Sequence, residues 1–117
     1  MKRLDTDWLE DILDAIDDIN RTLSGVNRSA FENDRMRQGA VSHFVMIISE
    51  ASGNIPETYK RAFPMIEWGE IAGIGNRIRH GYFAIRTDVL WKIYELELPA
   101  LRHTILQMLA KSGIQRT

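Results

Sequence analysis

The chain has 117 residues, which is the length of one domain with a hydrophobic core of its own. It contains no cysteine, which excludes disulfides and thiolate metal sites, and its formal net charge of −1 argues against a protein that coats polyanions. No apolar run approaches the roughly 20 residues of a membrane span, and none follows the basic residues near the N-terminus as in a signal peptide. We therefore expect one domain, residues 1–117, in the cytoplasm.

The first helix is predicted to begin between Asp5 and Asp7 and to end soon after Leu23. Asp7 with Glu10 three residues later has the form of a capping box. Apolar residues recur at helical spacing from Trp8 onwards, and acidic side chains cover much of the remaining surface. This acidic face is interpreted as solvated, although it could also dock a basic partner. The carboxylates could also bind a metal, but nothing in the sequence fixes their convergence.

The second helix is predicted to begin at the S-x-x-E capping box of Ser29 and Glu32. It should run to about Ser52 and stop at Gly53, a residue type that commonly ends helices. Glu50 lies within its apolar run. A buried carboxylate needs a partner, and an arginine from a later helix would supply one.

Two further helices flank the most informative region of the chain. A short helix over 57–63 is bracketed by Pro56 and Pro64. Thr87 is a good N-cap for the last helix, and Pro99 should kink that helix and not end it.

Together these patterns predict an all-α chain of four principal helices with short loops. No segment alternates with period two for long enough to form a strand. Short connections favour antiparallel neighbours, so we predict an up-down bundle of four to five helices. Trp8, Trp68 and Trp91 are expected to anchor the core or an interface.

The stretch from Trp68 to Tyr82 reads WGEIAGIGNRIRHGY and predicts one more helix. Gly81 supplies the conformational freedom that commonly ends a helix. The residues expected on one buried face follow the i, i+3, i+4, i+7 rule: Trp68, Ile71, Ala72, Gly75 and Ile78.

Cationic side chains gather at the end of this helix. Arg77 and Arg79 lie off the apolar stripe, His80 follows, and Tyr82 comes two residues later. Two guanidinium groups, an imidazole and a phenol suit a phosphate-bearing ligand, because arginine binds phosphate bidentately and histidine moves protons near pH 7. The alternative is structural, since cations in a last turn oppose the helix dipole. The three histidines lack metal-ligand spacing, so we expect neither metal nor other cofactor.

The residues of the whole chain resemble a known family. The resemblance rests on D-I-L-D-A-I in the first helix, D-R-x-x-Q-x-A-V and I-I-S-E-A in the second, and F-P-x-I-x-W-x-x-I-A-G-I before the cationic cluster. It continues through H-G-Y-F and V-L-W to L-P-A-L. In this order and spacing the chain resembles the HepT group of HEPN-domain proteins, which are small all-α ribonuclease toxins.

The resemblance implies activity and partners. It implies a homodimer that cleaves RNA without a metal at the cleft between two protomers. It also implies a minimal nucleotidyltransferase antitoxin, which neutralises the toxin by adding AMP units to the motif tyrosine, here Tyr82.

The family motif is arginine, four spacers, histidine, one spacer and tyrosine. His80 and Tyr82 match it, but Gly75 stands where the arginine is expected, and Asn76 matches the asparagine that often follows. A milder departure is Ser49, at a position where the family usually has glycine.

The missing arginine leaves the phosphate-binding role to other residues. In an α-helix Arg79 lies about 40° from position 75, whereas Arg77 lies about 200° away. The resemblance assigns proton transfer to His80 and substrate orientation to Tyr82. We expect Arg79, and less readily Arg77, to bind phosphate, with Asn76 as a further substrate contact.

Gly75 keeps a second hypothesis open, namely a catalytically silent HEPN domain that binds a nucleotide or its antitoxin. A third interpretation is a purely structural helical dimer. Gly75 itself has a structural explanation, which is a close approach of two helices that leaves no room for a side chain.

Overall fold

The computed structural model of the chain describes residues 4–79 and 87–116. Within these ranges it is helical and contains no strand, which confirms the predicted all-α class. The helices are α1 (Asp5–Thr22), α2 (Arg28–Glu32), α3 (Arg35–Gly53), α4 (Glu57–Arg61), α5 (Trp68–Arg79), α6 (Thr87–Lys92) and α7 (Leu98–Lys111), with a π-helical turn (Ile93–Glu97) joining α6 to α7.

Helix α1 begins where the sequence predicts but with a different cap. The Leu4 backbone N–H donates to the Asp7 carboxylate at 2.9 Å, so Asp7 is the third residue of the helix. The predicted capping box, with Asp7 as the N-cap and Glu10 three residues later, was therefore wrong. Leu4 is the N-cap, and Asp7 has the role that was predicted for Glu10. Gly25 has a φ of +74°, which suits glycine in the turn after the helix.

The single helix predicted from Ser29 to Ser52 is in fact two helices. The Asn27 side chain accepts from the Ala30 N–H at 2.8 Å and caps α2. The Asp34 carboxylate accepts from the Arg37 N–H at 3.0 Å and caps α3. Asparagine and aspartate are strongly preferred N-caps, and each begins a helix of its own here despite the continuous apolar spacing. The predicted helix is therefore interrupted between α2 and α3.

The core forms where α1 lies between α3 and α7. Its centre consists of fully buried aliphatic side chains from α1 and α7. Phe31 of α2 packs against Trp91 of α6, with 5.6 Å between the two ring centroids. Trp91 is thus a core anchor as predicted, whereas Trp8 and Trp68 are only half-buried. Helix α5 packs mainly against α3.

The last helix continues past Pro99, as predicted. Proline has no N–H to bond the carbonyl four residues earlier, and its ring crowds that carbonyl. The turn that precedes Pro99 is π-helical, from Ile93 to Glu97, and α7 follows without a break. The Trp91 indole N–H donates to the Glu95 carboxylate at 3.2 Å across this turn.

Candidate functional site

Helix α5 is joined to α3 through the backbone at Gly75. The Ser49 hydroxyl donates to the Ala72 carbonyl at 3.0 Å and accepts from the Gly75 N–H at 2.9 Å. Ser49 is 2% exposed, and Gly75 is buried as well. The serine side chain is therefore clamped between two backbone groups of α5, and the two helices are in close contact.

This contact leaves no space for a side chain at position 75. A Cβ atom on residue 75 would lie 2.5 Å from the Ser49 Cβ and would overlap the hydroxyl oxygen too. The hydroxyl could rotate, but the Ser49 Cβ is fixed to the backbone of α3. Any larger residue at position 75 would therefore push α5 away from α3.

Gly73, only two residues earlier, shows that the restriction is local. A Cβ atom at Gly73 would meet nothing within 4 Å. The structure thus brings together the two departures noted in the sequence, Ser49 and Gly75. Sequence reasoning missed their relationship, although the signal was present. Ser49 is larger than the glycine usual in the family, and Gly75 is smaller than the usual arginine.

The predicted buried stripe of α5 is only partly buried. Gly75 is buried, whereas the other predicted members, Trp68, Ile71, Ala72 and Ile78, are half-buried. The physical reason is that α3 covers one side of α5, while a groove opens on the other side.

Arg77 lies on the groove side of α5. It is exposed and lines the groove together with Lys92 of α6 and with Glu70, which lies about two turns earlier on α5. Gly75 faces α3, so Arg77 and Gly75 occupy different faces of the helix. This agrees with the expected angular separation and makes Arg77 a poor substitute for an arginine at position 75.

The other predicted site residues lie near the end of α5. Asn76 is exposed, and Arg79 is the last residue of the helix. The side chain of Arg79 and the whole of His80, Gly81 and Tyr82 lie outside the described residues. Their predicted roles therefore stay predictions.

The expectation for Glu50 was wrong. The residue is exposed and needs no buried partner. It lies beside Trp8 and the acidic side chains of α1 at the junction of α1 and α3. Its neighbours Ser49 and Ala51 are buried, whereas Glu50 lies on the solvent side of α3.

Within residues 4–79 and 87–116, no group of three or more histidine, aspartate or glutamate side chains is arranged to hold a metal ion. None of the helices described is both long enough and apolar enough to cross a membrane.

Comparison with known proteins gives the chain a family. Residues 12–108 match the family model described as "Ribonuclease HepT-like". No solved structure matches the chain.

Curated relatives agree with this match. The chain is 39% identical over 102 residues to "Probable ribonuclease HepT" of Thermococcus cleftensis, covering 87% of this chain and 93% of that protein. It is 32% identical over 98 residues to "Putative RNase MJ1380" of Methanocaldococcus jannaschii, covering 84% and 90%. The family-model match begins within α1 and ends within α7, so it includes positions 49 and 75. The chain belongs to the ribonuclease HepT-like family.

Proposed function

We propose that the chain is a HepT-like toxin endoribonuclease, which cleaves RNA without a metal ion at the cleft between two protomers. The observation that carries the proposal is the family match over residues 12–108, combined with the His80–Gly81–Tyr82 motif directly after α5. A minimal nucleotidyltransferase antitoxin would neutralise it, and both would act in the cytoplasm.

The proposed reaction uses the ribose 2′-hydroxyl as nucleophile. The 2′-oxygen forms a bond to phosphorus as the bond from phosphorus to the 5′-oxygen breaks, which leaves a 2′,3′-cyclic phosphate and a 5′-hydroxyl. His80 would accept the 2′ proton or donate a proton to the leaving 5′-oxygen, as histidine can near neutral pH. Tyr82 would orient the substrate.

Negative charge builds on the phosphoryl oxygens during this reaction and needs a nearby cation. Arg79 is the best candidate, because it lies about 40° from position 75 on the helix and directly precedes His80. Arg77 is less suitable, because it lines the groove on another face of α5. Asn76 is exposed and would contribute a polar substrate contact.

A second candidate function is a silent HEPN domain that binds nucleotide or antitoxin without cutting RNA. The observation that favours it is the burial of Gly75. The Ser49 side chain of α3 fills the space that a side chain at position 75 would need. An arginine side chain cannot occupy this position in the present packing. Losing one such donor typically costs ~10²–10³ in rate, so the activity would be weak or absent.

A metal-free RNA-cleavage assay tests the proposal directly. The chain as it stands, with EDTA present, should cut RNA and leave cyclic phosphate ends, and His80→Ala should lose about 10²–10⁴ in rate. Arg79→Ala should be slower than Arg77→Ala, which serves as the matched cation control. Cleavage that is unchanged in His80→Ala would refute the assigned site. If none of these proteins cleaves RNA, the second candidate function, a silent HEPN domain, is the one that stands.

The dimer and the antitoxin are tested separately. Sedimentation at micromolar concentration should show two protomers, and a monomer would remove the proposed cleft. Incubation with the cognate nucleotidyltransferase and ATP should add AMP to Tyr82, with Tyr82→Phe unmodified. Modification of Tyr94 or Tyr59 in place of Tyr82 would contradict the assigned acceptor.

A further inference from the structure

A groove separates α5 from the π-helical turn and the start of α7. We call it the α5 groove and define it by Glu70, Ile71 and Ile74 on α5 together with Ile93, Leu96 and Glu97 on the turn. Its floor is aliphatic and encloses a cavity of about 170 Å³, which is the size of one large apolar side chain. The proposed ribonuclease chemistry does not use it.

The groove presents apolar surface to solvent. Leu96 is 63% exposed, and Met65 at the opposite rim is 67% exposed. Leu96 lies in the π-helical turn that precedes Pro99. π-helical turns are uncommon and often occur at functional sites. Exposed aliphatic side chains beside a cavity are typical of a docking surface.

The rim of the groove is acidic at the end next to Met65, whereas Arg77 and Lys92 lie at its other end. Glu67, Glu70 and Glu97 all line it, and in the part of the chain that the structure describes none of the three forms an ion pair. Burial and the charges of Glu70 and Glu67 raise the pKa of Glu97, while Lys92 acts in the opposite direction. The three carboxylates therefore repel one another and would gain from a cation that arrives from outside.

These features disfavour a nucleic acid at the acidic end of the groove. Phosphates would be repelled by the three carboxylates there, and the other residues that line the cavity are apolar. The complementary ligand has an apolar side chain for the cavity and positive charges for the rim. An amphipathic helix with Lys or Arg beside its apolar face has both, and such helices bind in grooves of this kind.

A second copy of this chain is a less complementary occupant, because half of its twelve described lysine and arginine residues already form ion pairs within the chain. These pairs are Arg21 with Asp18, Arg28 with Glu32, Arg37 with Asp34, Lys60 with Glu57, Arg102 with Asp17, and Arg116 with Asp14 and Glu10. A different protein can bring its own basic residues.

We propose that the α5 groove binds a basic amphipathic helix of another protein, which places an apolar side chain in the cavity and Lys or Arg side chains against Glu67, Glu70 and Glu97. This surface is distinct from His80 and Tyr82 in sequence, and the proposal stands whether or not the chain cuts RNA.

The test uses the full chain and two model peptides of about 14 residues, the length at which amphipathic helices become stable. One peptide contains only leucine and lysine in an amphipathic pattern, and the other has glutamate in place of each lysine. Calorimetry at pH 7 should detect binding of the lysine peptide only. Amide chemical-shift changes should cluster at Ile74, Ile93 and Leu96. Equal binding of both peptides, or shift changes elsewhere, would overturn the proposal.

Matched variants make the test specific for the groove. Leu96→Ala should weaken binding roughly tenfold, whereas Met36→Ala, an exposed apolar residue outside the groove, should not. The pair Glu70→Gln with Glu97→Gln should weaken it about three- to tenfold, and neutralising the exposed Asp5 and Glu32 should have less effect.

Three outcomes would contradict the assignment. If the control variants weaken the lysine peptide as much as the groove variants, binding is a general effect of net charge. If Leu96→Ala abolishes self-association in sedimentation, the occupant is a second copy. If an RNA oligonucleotide shifts the groove amides and the lysine peptide does not, the surface binds nucleic acid.

Discussion

Ser49 and Gly75 are best understood as one structural unit. The serine fills the space that a side chain at position 75 would need, and its hydroxyl bonds both Ala72 and Gly75 on α5. A buried hydroxyl that both donates and accepts stabilises the contact, because each polar group it meets is satisfied. Replacing either residue alone breaks the match in size, whereas replacing both can restore it.

We expect Gly75→Ala to lower the free energy of unfolding by about 1–3 kcal/mol, because the new Cβ meets the Ser49 Cβ. Gly73→Ala is the matched control. It has open space, so alanine should raise stability by up to about 1 kcal/mol through its better helix propensity. Urea denaturation of both variants gives the comparison.

The single variant Ser49→Gly and the double variant Ser49→Gly with Gly75→Ala complete a thermodynamic cycle. Removing the serine side chain makes room for the alanine, so the two changes should couple by roughly 0.5–3 kcal/mol. Strictly additive effects, or a Gly75→Ala variant as stable as Gly73→Ala, would show that the two positions do not constrain each other.

Glu97 should make the stability of the chain depend on pH. Its pKa is raised above the ordinary value of 4.5, so the ionised form costs stability, and this cost appears as the pH rises through the folded-state pKa. Glu97→Gln should therefore be more stable than the parent at pH 7, by no more than about 0.5 kcal/mol at this solvent-screened position.

The advantage of Glu97→Gln should shrink as the pH falls below the ordinary carboxyl value, since Glu97 is then neutral in both states. Thermal unfolding across this range measures it, with the exposed, ion-paired Glu32→Gln as control. A difference that is constant with pH would contradict the repulsion among Glu97, Glu70 and Glu67.

At the scale of the helices, the sequence predicted where most of them lie, but it predicted one helix where the structure has α2 and α3. The regular apolar spacing located α1, α5 and α7, Pro56 and Pro64 bracketed α4, and Pro99 marked the irregular turn within the last helix. The break between α2 and α3 was missed, because Asn27, Ser29 and Asp34 are all good caps and the local pattern cannot rank them. A contact between the two helices stabilises the break: the Gln38 side-chain amide of α3 donates to the Phe31 carbonyl of α2 at 2.9 Å.

The N-caps of α2 and α3, Asn27 and Asp34, should respond differently to pH. Asn27→Ala should lower the free energy of unfolding by about 1 kcal/mol at any pH, because an amide cap does not titrate. Asp34→Ala should also destabilise at neutral pH. Hydrogen bonds from the backbone and side chain of Arg37 lower the pKa of Asp34, so its contribution is present above the ordinary value of 3.8 and is lost as the pH falls through the folded-state pKa. Denaturant midpoints at acid and neutral pH check both; an equal loss for Asp34→Ala at each pH would count against the charged cap.

At the scale of the molecule, charge divides the surface into regions. Glu67, Glu70 and Glu97 make the end of the α5 groove next to Met65 unsuitable for phosphate. The basic end of α5, where Arg79 precedes His80, is the side on which we expect RNA to approach. The sequence could predict the basic end from its local cluster. It could not predict the groove, because Glu70 and Glu97 are distant in sequence and meet only in the folded chain.

The central claim is that this ribonuclease lacks the motif arginine because Ser49 closes the position that it would occupy. The most direct measurement compares metal-free RNA cleavage by the unmodified chain, Gly75→Arg, and Ser49→Gly with Gly75→Arg, each first shown to be folded. We predict that the double variant cuts roughly 10²–10³ faster than the unmodified chain and that Gly75→Arg alone does not. A folded double variant that is no faster than the unmodified chain would contradict the account.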